Sequence, residues 1–198
     1  MNTLIASYPY RYKDFIYMAG RNCYGHEVFE GIMQDKNIFI KKLIENRHES
    51  VLEHINISVF IKGCSRSFMA QITRHRMASY SIKSQHYVKH KNFEYKKLES
   101  PIMEGEYIEL MKNIDNFYCK AIEQGMPHYI AREVLPNACL TNIYMTANLR
   151  EWRHILKLRC PTTNTPEIRA WSLDLLKQFY ALMPEIFFDI KKEFLEAR

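Results

Sequence analysis

From Phe29 to Arg47 the apolar residues Phe29, Ile32, Met33, Phe39, Ile40, Leu43 and Ile44 recur mostly at three- and four-residue steps, which predicts an amphipathic helix. The period then shortens. Ile55, Ile57, Val59 and Ile61 alternate with Asn56, Ser58, Phe60 and Lys62, as in a half-buried strand, and Gly63 reads as its end. Helical spacing returns at Ser65, with Phe68, Ile72 and His75 on one face, so the triplet Arg74-His75-Arg76 falls near that helix's end. A polar, extended stretch from Ser79 to Lys97 leads to a second long amphipathic helix, Tyr107 to Glu123, closed by Gly125 and Pro127. A short helix follows from Tyr129 to Val134 and stops ahead of Pro136. Leu149 to Arg159 and Glu167 to Leu182 read as the last two helices, the second with Ile168, Trp171, Leu175, Phe179 and Leu182 as its apolar stripe. The pattern is helix-rich with at least one strand pair, an α+β arrangement.

With no internal repeat, low-complexity tract or Gly/Ser linker, the 198 residues are expected to form a single domain, 1–198. A composition of 47% hydrophobic, 13% aromatic and 25% charged residues is that of a globular chain and excludes a disordered tail or a fibre. No apolar run approaches the roughly 18 residues needed to span a bilayer, and MNTLIASYPYRYKDF lacks a signal-peptide pattern. No membrane association and a cytoplasmic address are therefore expected. The five cysteines, Cys23, Cys64, Cys119, Cys139 and Cys160, are odd in number, scattered and never in a C-x-x-C pair, as reduced thiols would be. A net charge of +6 points to an anionic partner and leaves nucleic acid, a nucleotide cofactor and simple solubility open.

Arg74, His75 and Arg76 cannot all face a core, because successive helical residues point about 100° apart and burying unpaired charge is costly. At least two must meet solvent or an anion. The following MASYSIKSQHY supplies the hydroxyls of Ser79, Ser81 and Ser84, groups of the kind that cradle phosphate. Upstream, His48-Glu49-Ser50-Val51-Leu52-Glu53-His54 precedes the predicted strand. Its histidines are six apart and do not make the H-E-x-x-H zinc pattern, so no metal site is expected. Gln71 lies three residues before Arg74, and Ala131-Arg132-Glu133-Val134-Leu135-Pro136 sets a cation just ahead of a helix stop. Asn148-Leu149-Arg150-Glu151-Trp152-Arg153-His154-Ile155-Leu156-Lys157-Leu158-Arg159 is, by composition, a basic amphipathic helix able to meet an acidic surface or nucleic acid.

Together these residues resemble the flavin-dependent thymidylate synthases (the thymidylate synthase complementing protein family), whose signature is Arg-His-Arg followed after seven residues by Ser. The resemblance runs from His48 to Arg159, with weaker similarity at Glu167-Ile168-Arg169. It implies a helix-rich α+β fold with an antiparallel β-sheet and a homotetramer with shared active sites. It also implies conversion of dUMP to dTMP, with 5,10-methylenetetrahydrofolate as one-carbon donor and NADPH reducing a bound FAD, whose negative charge when reduced suits a cationic wall. Carried over residue by residue, it places His48, Ser50, Arg74, His75, Arg76, Asn148, Arg150 and His154 at the flavin. Gln71, Arg74, Ser84, Gln85, His86, Arg132 and Arg159 fall at the substrate. Arg159 takes the activating role, electrostatic because arginine stays protonated. No cysteine is needed as a nucleophile.

The chain departs from the family where Ser-x-Arg-Tyr becomes Ser84-Gln85-His86-Tyr87: an imidazole, shorter and without the two-pronged guanidinium geometry, replaces a phosphate ligand. Ile82 stands where glutamate is common and Cys23 where serine is common. His86 motivates an alternative, a related enzyme acting on dCMP or leaving a hydroxymethyl product. The basic helix motivates another, a nucleic-acid-binding protein.

Overall fold

The computed structural model describes residues 1–25, 35–88 and 90–196. Its strands are β1 (Asn2–Ser7), β2 (Asn56–Ser65), β3 (Ala78–Ile82) and β4 (Leu140–Asn148), in an antiparallel sheet of order β1-β2-β4-β3. The helices are α1 (Tyr12–Cys23), α2 (Lys36–Glu45), α3 (Arg66–Ile72), α4 (Glu104–Glu123), α5 (His128–Ala131), α6 (Leu149–Arg159), α7 (Pro166–Leu182) and α8 (Pro184–Lys191). Short 3-10 turns cover Glu49–His54 and Arg132–Val134. The helix expected from Phe29 is present over Lys36–Glu45, capped by the Asp35 carboxylate on the Asn37 amide; its expected part from Phe29 to Gln34 lies outside the described residues.

The chain divides into two compact units. One comprises 1–2, 61–74 and 80–144; the other comprises 3–60, 75–79 and 145–198. In the first, α4 lays Met111, Tyr118 and Ala121 into two apolar clusters, with Phe93 and Cys139 in one and Ala131 in the other. Ser65 caps α3 by accepting from the Phe68 amide, while the amides of Arg66 and Ser67 donate to the carbonyls of Cys139 and Asn137. Gly63 does not end β2. At φ +71° it takes the left-handed conformation that glycine adopts without a Cβ penalty, and its amide donates to the Asn142 side chain, so the strand runs on to Ser65.

In the second unit α6 is the organising helix. Leu149, Trp152, Ile155 and Leu156 are fully buried, at steps of three and four. The Trp152 indole donates to the Ile57 carbonyl and stands edge-on to Phe179, which stacks on Phe187 of α8. Asn148 caps this helix, its side chain accepting from the Glu151 amide at 2.9 Å. The cap fixes where the helix starts, and hence which side chains leave its first and last turns.

Candidate active site

α3 stops at Ile72, with Thr73 as its C-cap, so Arg74-His75-Arg76 lies past the helix end, in the connection to β3. The expected split of the triplet is present: Arg74 and Arg76 are exposed and His75 is buried, 5% exposed.

In the second unit, Arg159 at the last turn of α6 donates through Nε to Nε2 of His75 at 3.0 Å, and its Nη1 reaches Oδ1 of Asn164 at 3.4 Å. Asn164 is itself held by donating to the carbonyls of Leu158 and Pro161. Nδ1 of His75 lies 3.4 Å from Oε1 of Glu151, and the His154 ring meets His75 edge-on at 5.9 Å. Burial, then the charges of Arg159 and His154, push the His75 pKa down to about 4, so the ring is neutral at pH 7. The contact with Glu151 is therefore one between a neutral ring and a carboxyl group, and not an ion pair. Burial also raises the Glu151 pKa, against the opposing effect of His154.

His75, Glu151 and His154 bring one ligand atom each within 4.8 Å of one another, a spacing that would suit a cation. Both ring nitrogens of His75 already have partners, one of them a guanidinium whose charge opposes a metal at that position. The trio reads more simply as a row of polar and ring contacts that ends on Arg159.

Because the folded pKa of His75 lies below its ordinary 6.5, the unfolded chain takes up the proton first. The contribution is complete above pH 6.5 and is lost as pH falls from there toward about 4. The urea midpoint of the wild type is expected to drop through that window, and His75→Gln to lose that part of the drop. Parallel profiles for the two proteins would contradict the assignment.

Glu49, Glu53, Met77, Asn148, Arg150, Glu151, His154 and Lys157 line a cleft of about 500 Å³, within the size range of small-molecule sites. Three of the residues expected at the flavin, Asn148, Arg150 and His154, are thus gathered on one wall. Arg150 is paired with Glu53 at 2.5 Å, an exposed ion pair worth about 1 kcal/mol or less, which an anionic ligand can displace. Near this cleft His48 is exposed and bonded through Nδ1 to the Tyr24 hydroxyl at 3.2 Å, while Ser50, on the 3-10 turn, is exposed. Two further cations of α6 are matched by carboxylates. Arg153 is buried on Glu49 and Asp189, and Lys157 lies within 3.8 Å of both.

In the first unit, Ser84 makes a tight turn, its hydroxyl accepting from the amides of His86 and Tyr87 at 3.0 and 3.3 Å. His86 is exposed and stacks on Tyr129 with ring centroids 5.5 Å apart, and Arg132 donates through Nε to the Tyr129 carbonyl. Gln85 is buried, its amide reaching the Cys139 sulfur at 3.8 Å. Gln71 bonds back to the Ser67 carbonyl at 3.4 Å on the surface of α3. Arg66, which no motif singles out as a site residue, belongs to this group. Its Nη1 is buried with no hydrogen-bond partner among the described residues, and burial first, with the like charge of Arg132 adding to it, lowers its pKa. Buried donors are nearly always satisfied, so an unmet guanidinium nitrogen beside a second arginine marks a place for an anion.

Cys160 follows Arg159, but burial pushes its thiol up to about 12, which leaves it a poor nucleophile. Cys139 is shifted upward by burial too.

The fold and these groups define a class: an α+β protein with a hydrogen-bonding cleft and cation-bearing turns suited to phosphate-containing ligands. The model of the thymidylate synthase complementing protein family matches residues 4–185, and the chain belongs to that family. A flavin-dependent thymidylate synthase of Geobacter sulfurreducens is 32% identical over 183 residues, covering 87% of this chain and 79% of the relative. One of Clostridium tetani is 32% identical over 196 residues, covering 85% and 78%. Two crystal structures of the Helicobacter pylori flavin-dependent thymidylate synthase with FAD and dUMP superpose with TM-scores of 0.77 and 0.82, at 20% and 21% identity. They cover 94% and 97% of this chain, and 100% and 99% of theirs. At that identity the likeness shows the fold.

Proposed function

We propose that the chain converts dUMP to dTMP, with FAD as its flavin, 5,10-methylenetetrahydrofolate giving the one-carbon unit and NADPH the reducing electrons, in a homotetramer. The observation that carries this reading is Arg159: a half-buried guanidinium anchored through Nε on a neutral imidazole. Making C5 of uracil nucleophilic means stabilising negative charge that develops across N3 and O2, and a fixed cation that cannot give up its proton does this electrostatically. The donor set also suits a flavin. Asn148, Arg150 and His154 line the cleft, and His48, Ser50, Arg74, His75 and Arg76 are the other residues assigned to it. When bound, the flavin supplies the hydride that completes the methyl group. The chain's residues orient it and hold its phosphates.

Phosphate of the nucleotide is assigned to Ser84, Gln85, His86 and Arg132, with Arg66 as an added donor, and Gln71 and Arg74 to the rest of the nucleotide. His86→Arg is expected to tighten dUMP binding roughly tenfold, because one bidentate charge-assisted contact is worth about 1.5 kcal/mol. Calorimetric titration with dUMP checks this, and an unchanged Kd would place position 86 away from the phosphate. The reading as a whole predicts yellow protein and release of tritium from C5-labelled dUMP that requires the folate and reduced nicotinamide. Colourless protein that does not take up added FAD, together with no tritium release, would overturn it.

A further inference from the structure

Glu151 is a residue to which neither the resemblance nor the cleft assigns a task. It lies in the first turn of α6, half-buried, with its amide held by the Asn148 cap. Its carboxylate points along a directional chain. Arg159 has only donors, so at 3.0 Å its Nε–H obliges Nε2 of His75 to accept. A ring nitrogen that accepts carries no proton, and a neutral imidazole then bears its single proton on Nδ1. Nδ1 is the atom that faces Oε1 of Glu151, at 3.4 Å. Remove that acceptor and the carboxylate's pull on Nδ1–H is lost, leaving Arg159 to hold the tautomer against the competing form. The Nε2–H form would set one N–H against another and release the arginine.

We propose that Glu151 is a positioning residue that holds His75 in its Nδ1-protonated tautomer, so that Nε2 receives Arg159 and fixes the guanidinium's orientation. The inference rests on Arg159 being the substrate-activating cation. Among the described residues, charged and titratable groups that face His75 include Glu151, His154 and Arg159, all from α6. Burial, which raises the Glu151 pKa, makes the carboxylate matter here as a hydrogen-bond acceptor more than as a charge. An amide that can still accept should therefore replace it, and an alkyl group should not.

The test compares the wild type with Glu151→Gln and Glu151→Leu in the FAD-loaded protein. Nitrogen-15 spectra of labelled histidine, assigned to His75 by its loss in His75→Gln, report the tautomer directly and without turnover. We expect Nδ1–H in the wild type and in Glu151→Gln, and a mixture or Nε2–H in Glu151→Leu. Tritium release from labelled dUMP should show kcat within about fivefold of wild type for Glu151→Gln and about 10- to 100-fold lower for Glu151→Leu, with the KM for dUMP changed less than about threefold. A wild-type ring protonated on Nε2, or a Leu variant with unaltered tautomer and kcat, would overturn the proposal. Should Glu151→Leu fail to fold, Glu151→Ala is read in its place by the same two measurements. A wild type without dUMP turnover but with Nδ1–H on His75 would count against the proposed function and leave the relay standing.

Discussion

Replacing Arg159 by alanine is expected to lower kcat for dTMP formation by about 10²- to 10³-fold, the scale on which enzymes lose rate when one group aimed at developing charge is removed. The expectation follows from where the side chain is held. Its Nε is committed to His75 and Nη1 lies toward Asn164, so the guanidinium plane is set before any ligand arrives. Preorganisation of this kind makes an electrostatic contact stronger in the transition state than in the ground state, so the loss should fall on kcat more than on the KM for dUMP. Arg159→Lys retains a charge but has no Nε–H to give His75 and no planar fork, and it should recover little of the rate. Single-turnover tritium release from C5-labelled dUMP separates the two steps. A variant that turns over normally once saturated with dUMP would remove Arg159 from the chemistry and leave it a binding residue.

The parts of the fold that were legible in the sequence are those whose buried face is made mostly of large apolar residues. In β2 the buried positions Ile57, Val59 and Ile61 alternate cleanly, and in α7 the buried Ile168, Trp171, Leu175 and Phe179 follow a helical period. β4 escaped notice for the opposite reason. Its buried face is Thr141, Ile143, Met145 and Ala147, while Leu140 and Tyr144 stand on the other, so alternation in burial is not alternation in hydrophobicity. α1 was hidden as well. It buries only Tyr12, Ile16 and Gly20, and the glycine is there because a Cβ would come within 2.8 Å of the Phe39 ring.

The site divides in the same way. Motif spacing, which is local, singles out Arg-His-Arg, Ser84 and Arg159 as candidates. The tasks of Arg66 and Glu151 depend on what the chain brings beside them. Arg66 has a buried, unmet nitrogen near Arg132, and Glu151 faces an imidazole from the α3–β3 connection. Neither relation leaves a periodic trace. Arg153 looked like one more cation on a basic helix and is in fact 1% exposed.

For that reason Arg153→Ala is expected to destabilise the fold by about 3 kcal/mol or more, within the range for removing one partner of a buried ion pair. The guanidinium meets Asp189 through two parallel bonds, at 2.9 and 2.7 Å, and Glu49 through two more, at 3.2 and 3.0 Å. It also donates to the Ile186 carbonyl and so ties α6 to α8 and to the 3-10 turn that leads into β2. Truncation leaves two carboxylates and a carbonyl without their donor. Lys157, within 3.8 Å of both acids, relieves part of the loss, which argues for the lower end of the range. The sign of the pH dependence discriminates this account from a simple cavity. Burial works to raise the Asp189 pKa, yet the hydrogen bonds and charge of Arg153, with Lys157 adding, hold it below the ordinary 3.8. A depressed carboxyl contributes stability above its unfolded pKa and loses it as pH falls through the folded value. In Arg153→Ala the largest restraint is gone and burial is opposed only by Lys157 and the backbone hydrogen bond at Ile190, so Asp189 should protonate at a higher pH than in the wild type. The deficit of the variant should then be greatest near neutrality and shrink as pH approaches 4, measured as the difference in urea midpoint from wild type. A deficit that stays constant across that range would mean lost packing and not lost pairing.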